Sequence, residues 1–166
     1  LSFQQYSELK SSSQLSANAA QVATLRNVGG RIKDATTLFM NEKGFGKSLD
    51  GYAWEFNLIE SSDVNAFCMP GGKVAFYTGI LPYCKDENGI AVVMGHEIAH
   101  AIAEHGNERM SQGLVQQLGG VALDVALQNE PGETRAIFAS AYGLGAEYGV
   151  MLPFSRKHES EADELG

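Results

Sequence analysis

Near the middle of the chain, an otherwise apolar run carries an imidazole, a carboxylate and a second imidazole. Ile90-Ala91-Val92-Val93-Met94-Gly95 leads into His96-Glu97-Ile98-Ala99-His100, and Ala101-Ile102 follows. A helix this apolar is one that becomes buried, and buried polar groups are costly unless something pairs them. Residues four apart on a helix are separated by about 40° around the axis and lie one turn apart. Both imidazoles therefore project from one face and can close on a single cation. Glu97 can reach the open side of that cation, where a carboxylate can take the proton of a zinc-bound water. With this chain's own His and Glu frequencies, the five-residue pattern arises by chance in roughly one such chain in a hundred. The competing reading, two surface histidines on a helix, does not suit the apolar surroundings.

A catalytic zinc takes three protein ligands and keeps one position open. Downstream, the segment Ser155-Arg156-Lys157-His158-Glu159-Ser160-Glu161-Ala162-Asp163 is the charged cluster with useful spacing. Glu159 and Asp163 are four apart on one helical face, and Glu161 points away from both. Glu159 as ligand, with Asp163 orienting a ligand imidazole, would satisfy a zinc site. Taken alone, the cluster also reads as a solvated acidic helix end. His105 is about 140° around the helix from His100 and cannot share the metal, so it is read as a surface or packing residue. His158 is about 100° off the Glu159 face and is not expected to be a ligand. Arg109 and Arg156 are candidates only for salt bridges near the site.

The rest of the chain predicts a mostly helical α+β domain. Leu15, Ala19, Val22, Leu25, Val28 and Ile32 paint one face of a helix over 11–33, entered through a serine cluster. Residues 41–51, with three glycines, read as loop. Trp54, Phe56 and Leu58 alternate with Glu55 and Asn57 as in a half-buried strand. A second strand over 64–69, a Pro70-Gly71-Gly72 turn and a third strand over 73–78 make a hairpin. Asp86 or Asn88 caps the metal-site helix, expected to run to about Met110. Further helices are expected over 114–127, 133–148 and from about Ser155 onward. Glycines clustered after Gly113 suggest close helix packing or mobile segments.

Size and charge narrow the function. The chain has 166 residues, 44% of them hydrophobic and 19% charged, which suits one soluble domain over 1–166. A net charge of −8 argues against a nucleic-acid binder, which needs a basic face. It also weakens a case for docking on anionic lipid. No run reaches the roughly 18–20 apolar residues of a membrane span. The chain opens at Leu1 without the charged and apolar stretches of a leader. Cys68 and Cys84 suit either two thiols or one disulfide, and neither has metal-ligand spacing to the other.

The pairing of His96-Glu97-Ile98-Ala99-His100 with Glu159-Ser160-Glu161-Ala162-Asp163 resembles the gluzincin peptidases related to CaaX prenyl protease, the heat-shock protease HtpX and BepA-type periplasmic proteins. This is the peptidase family numbered M forty-eight. Asn65-Ala66-Phe67, Pro70-Gly71-Gly72 and Gly79-Ile80-Leu81 resemble the stretch ahead of its metal helix, so the likeness spans about Val64 to Gly166. It implies a zincin-like fold, with a small sheet packed against the metal-binding helix. It implies one zinc ion on His96, His100 and Glu159, with Glu97 as general base and Asp163 orienting a ligand. Asn65, Ala66 and Phe67 would lie on an edge strand that pairs with an extended peptide, although an ordinary core strand fits the residues too.

Such peptidases usually continue past the third-ligand helix and supply a further His or Arg. A chain stopping at Gly166 is therefore expected to be a catalytic domain cut short. The implied activity is a zinc endopeptidase of peptides or unfolded proteins, working in envelope protein quality control. The soluble branch of the family suggests a bacterial periplasm, or a lipid-anchored form with its leader removed. Two other classes compete: a zinc-stabilised, chaperone-like module that holds unfolded chains without cutting, and a structural helical protein with an accidental motif.

Overall fold

Apolar residues recur at three- and four-residue steps from Leu25 to Met40, and that stripe makes the longest of the described helices. The computed structural model describes residues 2–105 and 110–126. Its elements are helices α1 (Ser2–Ser12) and α2 (Ala19–Glu42), strands β1 (Glu55–Ile59), β2 (Ala66–Met69) and β3 (Lys73–Tyr77), and helices α3 (Leu81–Cys84), α4 (Glu87–His105) and α5 (Gln112–Ala126). The fold is mostly helical with one small sheet, as expected. No described helix is long and apolar enough to cross a membrane. The helices expected over 133–148 and from Ser155 lie outside the described residues.

Helix α2 does not start in the serine cluster. Asn18 caps it, its side chain accepting from Gln21 N at 3.1 Å. Leu15, expected on the helical face, instead forms an isolated antiparallel bridge with Ile59. Ser16 N donates to Leu58 O at 2.9 Å, and Glu60 N donates to Gln14 O at 2.7 Å. Pairing with β1 thus captures a segment whose spacing alone favoured helix. At its other end α2 runs to Glu42, because Thr36 and Met40 continue the buried stripe.

In the sheet, β3 lies in the middle, parallel to β1 and antiparallel to β2. The β2–β3 hairpin appears as expected, with Met69 opposite Lys73. Gly71 and Gly72 turn it at φ of 92° and 85°, a region that side-chain-bearing residues avoid. Side chains alternate between two cores. Leu58, Ala66, Val74 and Phe76 face the main core with α2, α4 and Leu118 of α5. Ile59, Phe67, Met69, Ala75 and Tyr77 face the other way, where Tyr6 and Leu9 of α1 cover them.

That second face departs from the expectation for β1. Asn57 was to point outward, yet it is buried at 5% exposure. The cause is α1, which lays Tyr6 against it; Asn57 Nδ2 donates to the Tyr6 hydroxyl at 3.1 Å.

Candidate metal and peptidase site

The site rests on α4, and the residues ahead of that helix fix where it starts. Asp86 is the cap: its Oδ1 accepts from Asn88 N at 3.0 Å and from Gly89 N at 3.2 Å. A Cβ at Gly89 would sit 1.9 Å from the Cys84 carbonyl oxygen, so only glycine lets the end of α3 abut the first turn of α4. From there Ile90, Ala91, Val93, Met94, Ile98, Ala99, Ala101 and Ile102 are all buried, against β2, α2 and α5. Arg31 of α2 helps hold α5 in place, donating to Val125 O at 3.0 Å.

Set among these apolar groups, Glu97 is 7% exposed. His96 and His100 are half-buried one turn apart, and the Nε2 atom of His96 is itself shut off from solvent. His100 Nε2 lies 3.0 Å from an oxygen of Glu104, one further turn along. Glu104 went unnoticed in the sequence, although its four-residue step from His100 is a readable signal. The helix brings together three of the expected residues. Glu159, Asp163, Glu161, His158, Arg156 and Arg109 lie outside the described residues.

The strand expected to meet substrate lies beside this helix. β2 is at the edge of the three described strands and packs on α4. Ala66 is buried toward the main core, and Phe67 points to the α1 side, its ring 6.2 Å from that of Tyr77. Asn65 extends the ladder by one residue, its carbonyl accepting from Tyr77 N at 3.0 Å. Cys68 of β2 lies near enough to Glu97 to feel its charge. Burial pushes its thiol well above the ordinary range, and the Glu97 carboxylate pushes it further. Sequence spacing gave no sign of this cross-element pair. Both Cys68 and Cys84 are free thiols, so the disulfide alternative does not hold.

Two imidazoles one turn apart are a pair of nitrogen donors of the kind zinc takes, with a buried carboxylate beside them. The described residues fit zinc as far as they go. No group of three or more His, Cys, Asp or Glu donors comes together among them.

Comparison with known proteins reaches most of the chain, including the stretch beyond the described residues. It is 39% identical to the mitochondrial metalloendopeptidase OMA1 of Schizosaccharomyces pombe over 117 residues, covering 68% of this chain and 31% of that protein. Against the OMA1 of Arabidopsis thaliana it is 34% identical, covering 71% of this chain and 22% of that protein. The metalloprotease LoiP of Escherichia coli is 30% identical, with 72% of this chain and 45% of LoiP covered. The chain thus spans less than half the length of these relatives. The pattern that defines peptidase family M48 matches residues 29–166. That match begins ahead of the strands, well before Val64, and takes in α4 and the Glu159 segment, so the chain belongs to peptidase family M48.

Proposed function

We propose that the chain is a zinc-dependent endopeptidase domain, with Glu97 as general base. His96, His100 and Glu159 are the metal ligands, one zinc per chain, and Asp163 orients a ligand imidazole. One juxtaposition carries the reading: a buried Glu97, flanked by two imidazoles on one helical face, lies close enough to the edge strand to act on Cys68. When bound, zinc supplies Lewis-acid activation of water and of the scissile carbonyl. Glu97 accepts a proton from the attacking water and passes it to the leaving amine. An extended peptide pairs along Asn65, Ala66 and Phe67, which sets its carbonyl beside α4. The substrates are peptides or unfolded proteins.

The family resemblance also supports a place in the bacterial envelope, periplasmic or lipid-anchored, and a role in protein quality control there. Relatives named as mitochondrial make organelle fractionation the alternative to test.

Casein cleavage with and without a chelator tests the activity, and activity that survives metal removal sinks the reading. For the ligands, Glu159→Ala should lower bound zinc after dialysis by orders of magnitude. Glu161→Ala should keep the metal and change stability by no more than about 0.5 kcal/mol. The opposite pattern would show that the helical register, and with it the site, is misassigned.

A further inference from the structure

Residues 2–12 precede the stretch matched by the family, yet α1 contacts the part of the sheet that the proposed function needs. An edge strand is held by one ladder only, so its position relative to a neighbouring helix depends on what packs on its two faces. For β2, α4 takes one face through Ala66 and Cys68. On the other face, Phe67 and Met69 pack in the small cluster built on Tyr6.

Tyr6 is 1% exposed, and its hydroxyl is used twice. It donates to the backbone carbonyl of Val74, in the middle strand, and accepts from Asn57 Nδ2 of β1 at 3.1 Å. Burial pushes this hydroxyl up to about 12, so it remains a donor at neutral pH. A second anchor sits at the hairpin turn. A Cβ at Gly71 would lie 2.3 Å from the Phe3 ring, and Lys73 Nζ is 4.7 Å from the centre of that ring. One helix therefore grips the hairpin at its turn and at the middle of its inner strand.

We infer that α1 is a clamp that holds the β2–β3 hairpin in register with α4, with Tyr6 the positioning residue that sets the peptide-pairing edge. The inference rests on the reading of β2 as the substrate strand. Tyr6 touches neither substrate nor reacting atoms and acts through Val74 and the hairpin. Loosening the clamp thus weakens peptide binding while leaving the α4 groups in place.

The test compares Tyr6→Phe and Phe3→Ala with the unaltered chain, each loaded with zinc. Hydrogen exchange in 66–69 and 73–77 should quicken about tenfold or more in both variants, with exchange in α4 unchanged. The KM for casein should rise about three- to tenfold at nearly constant kcat and constant zinc content, the signature of lost binding. Val28→Ala, a core truncation away from the clamp, should lower the melting temperature without this local change. Unchanged hairpin exchange in both variants would overturn the clamp, whatever the activity. Faster exchange with an unchanged KM would overturn its role in positioning substrate. If the unaltered chain cleaves no casein, the peptidase reading fails, and the exchange measurements still decide whether α1 clamps the hairpin.

Discussion

The two faces of the sheet are built differently. Toward α4 the packing is apolar: Leu58, Ala66, Val74 and Phe76 share one core with Met94, Ile98 and Ile102, all nearly or fully buried. Toward α1 the apolar contact is smaller and is joined to a polar network. There Tyr6, Asn57, Glu55, Lys10, Lys73 and Arg26 are linked by hydrogen bonds and ion pairs. The lesson lies in how each face responds to change. Dispersion and hydrophobic burial are non-directional and add up over area, so the α4 face offers a rigid floor for Glu97 and its two histidines. A polar network depends on every member being satisfied, so the α1 face gives specificity of docking and fails one partner at a time.

The sharpest way to separate the faces is through the chemistry that only one of them carries. Glu97→Gln keeps size and hydrogen-bonding capacity but cannot accept the proton. It should cut casein hydrolysis by about a hundredfold or more while zinc stays near one per chain. Loss of the metal in this variant would show Glu97 to be a ligand instead. No replacement on the α1 face should give that combination.

Stability comes next. Phe76→Ala opens a cavity in the main core and should cost about 3–5 kcal/mol in denaturant unfolding. A cost below about 1 kcal/mol would mean that the α4 face is loosely packed. On the other face, Asn57→Ala leaves the Tyr6 hydroxyl and the Arg26 guanidinium short of a partner and should cost about 1–3 kcal/mol. Because the loss is shared, Tyr6→Phe combined with Asn57→Ala should cost less than the sum of the two single changes. Strict additivity would show that the network is a set of separate contacts.

The smallest effect is on pH. Lys10, first, and then Lys73 and Asn57 hold the Glu55 carboxyl down at about 2 against an ordinary 4.5, with partial burial opposing them. A depressed carboxyl stabilises the fold above its unfolded value, and that contribution fades as pH falls from 4.5 toward 2. Half-exposed ion pairs contribute little, so the change is modest. Glu55→Gln should flatten part of the fall in melting temperature across that range. An identical acid profile in the variant would remove Glu55 from the account.

Where the physics was local, it could be read from the residues. His96, Glu97 and His100 on one helix, the cap among the residues ahead of it, and the Pro70-Gly71-Gly72 hairpin all follow from spacing and turn chemistry within a few residues. The alternation in β2 that sends Cys68 to the main core and Phe67 away from it follows from the period of two. Even Glu104 beside His100 was legible in principle, being a four-residue step on the same helix.

What the tertiary structure alone decided involves partners far apart in the chain. Leu15 has helical spacing to Ala19 and Val22, but a bridge to Ile59 outweighs that local preference. The parallel pairing of β1 with β3 across the hairpin is a matter of topology, which no strand pattern encodes. Residues 2–12 carry few apolar groups, and Tyr6 gains its worth only from Val74 and Asn57, 68 and 51 positions away. The nearness of Cys68 to Glu97 likewise depends on how β2 packs against α4. Local periodicity sets which face of an element is apolar. Which elements meet, and which polar groups are thereby paired or buried, is fixed only once the chain has closed on itself.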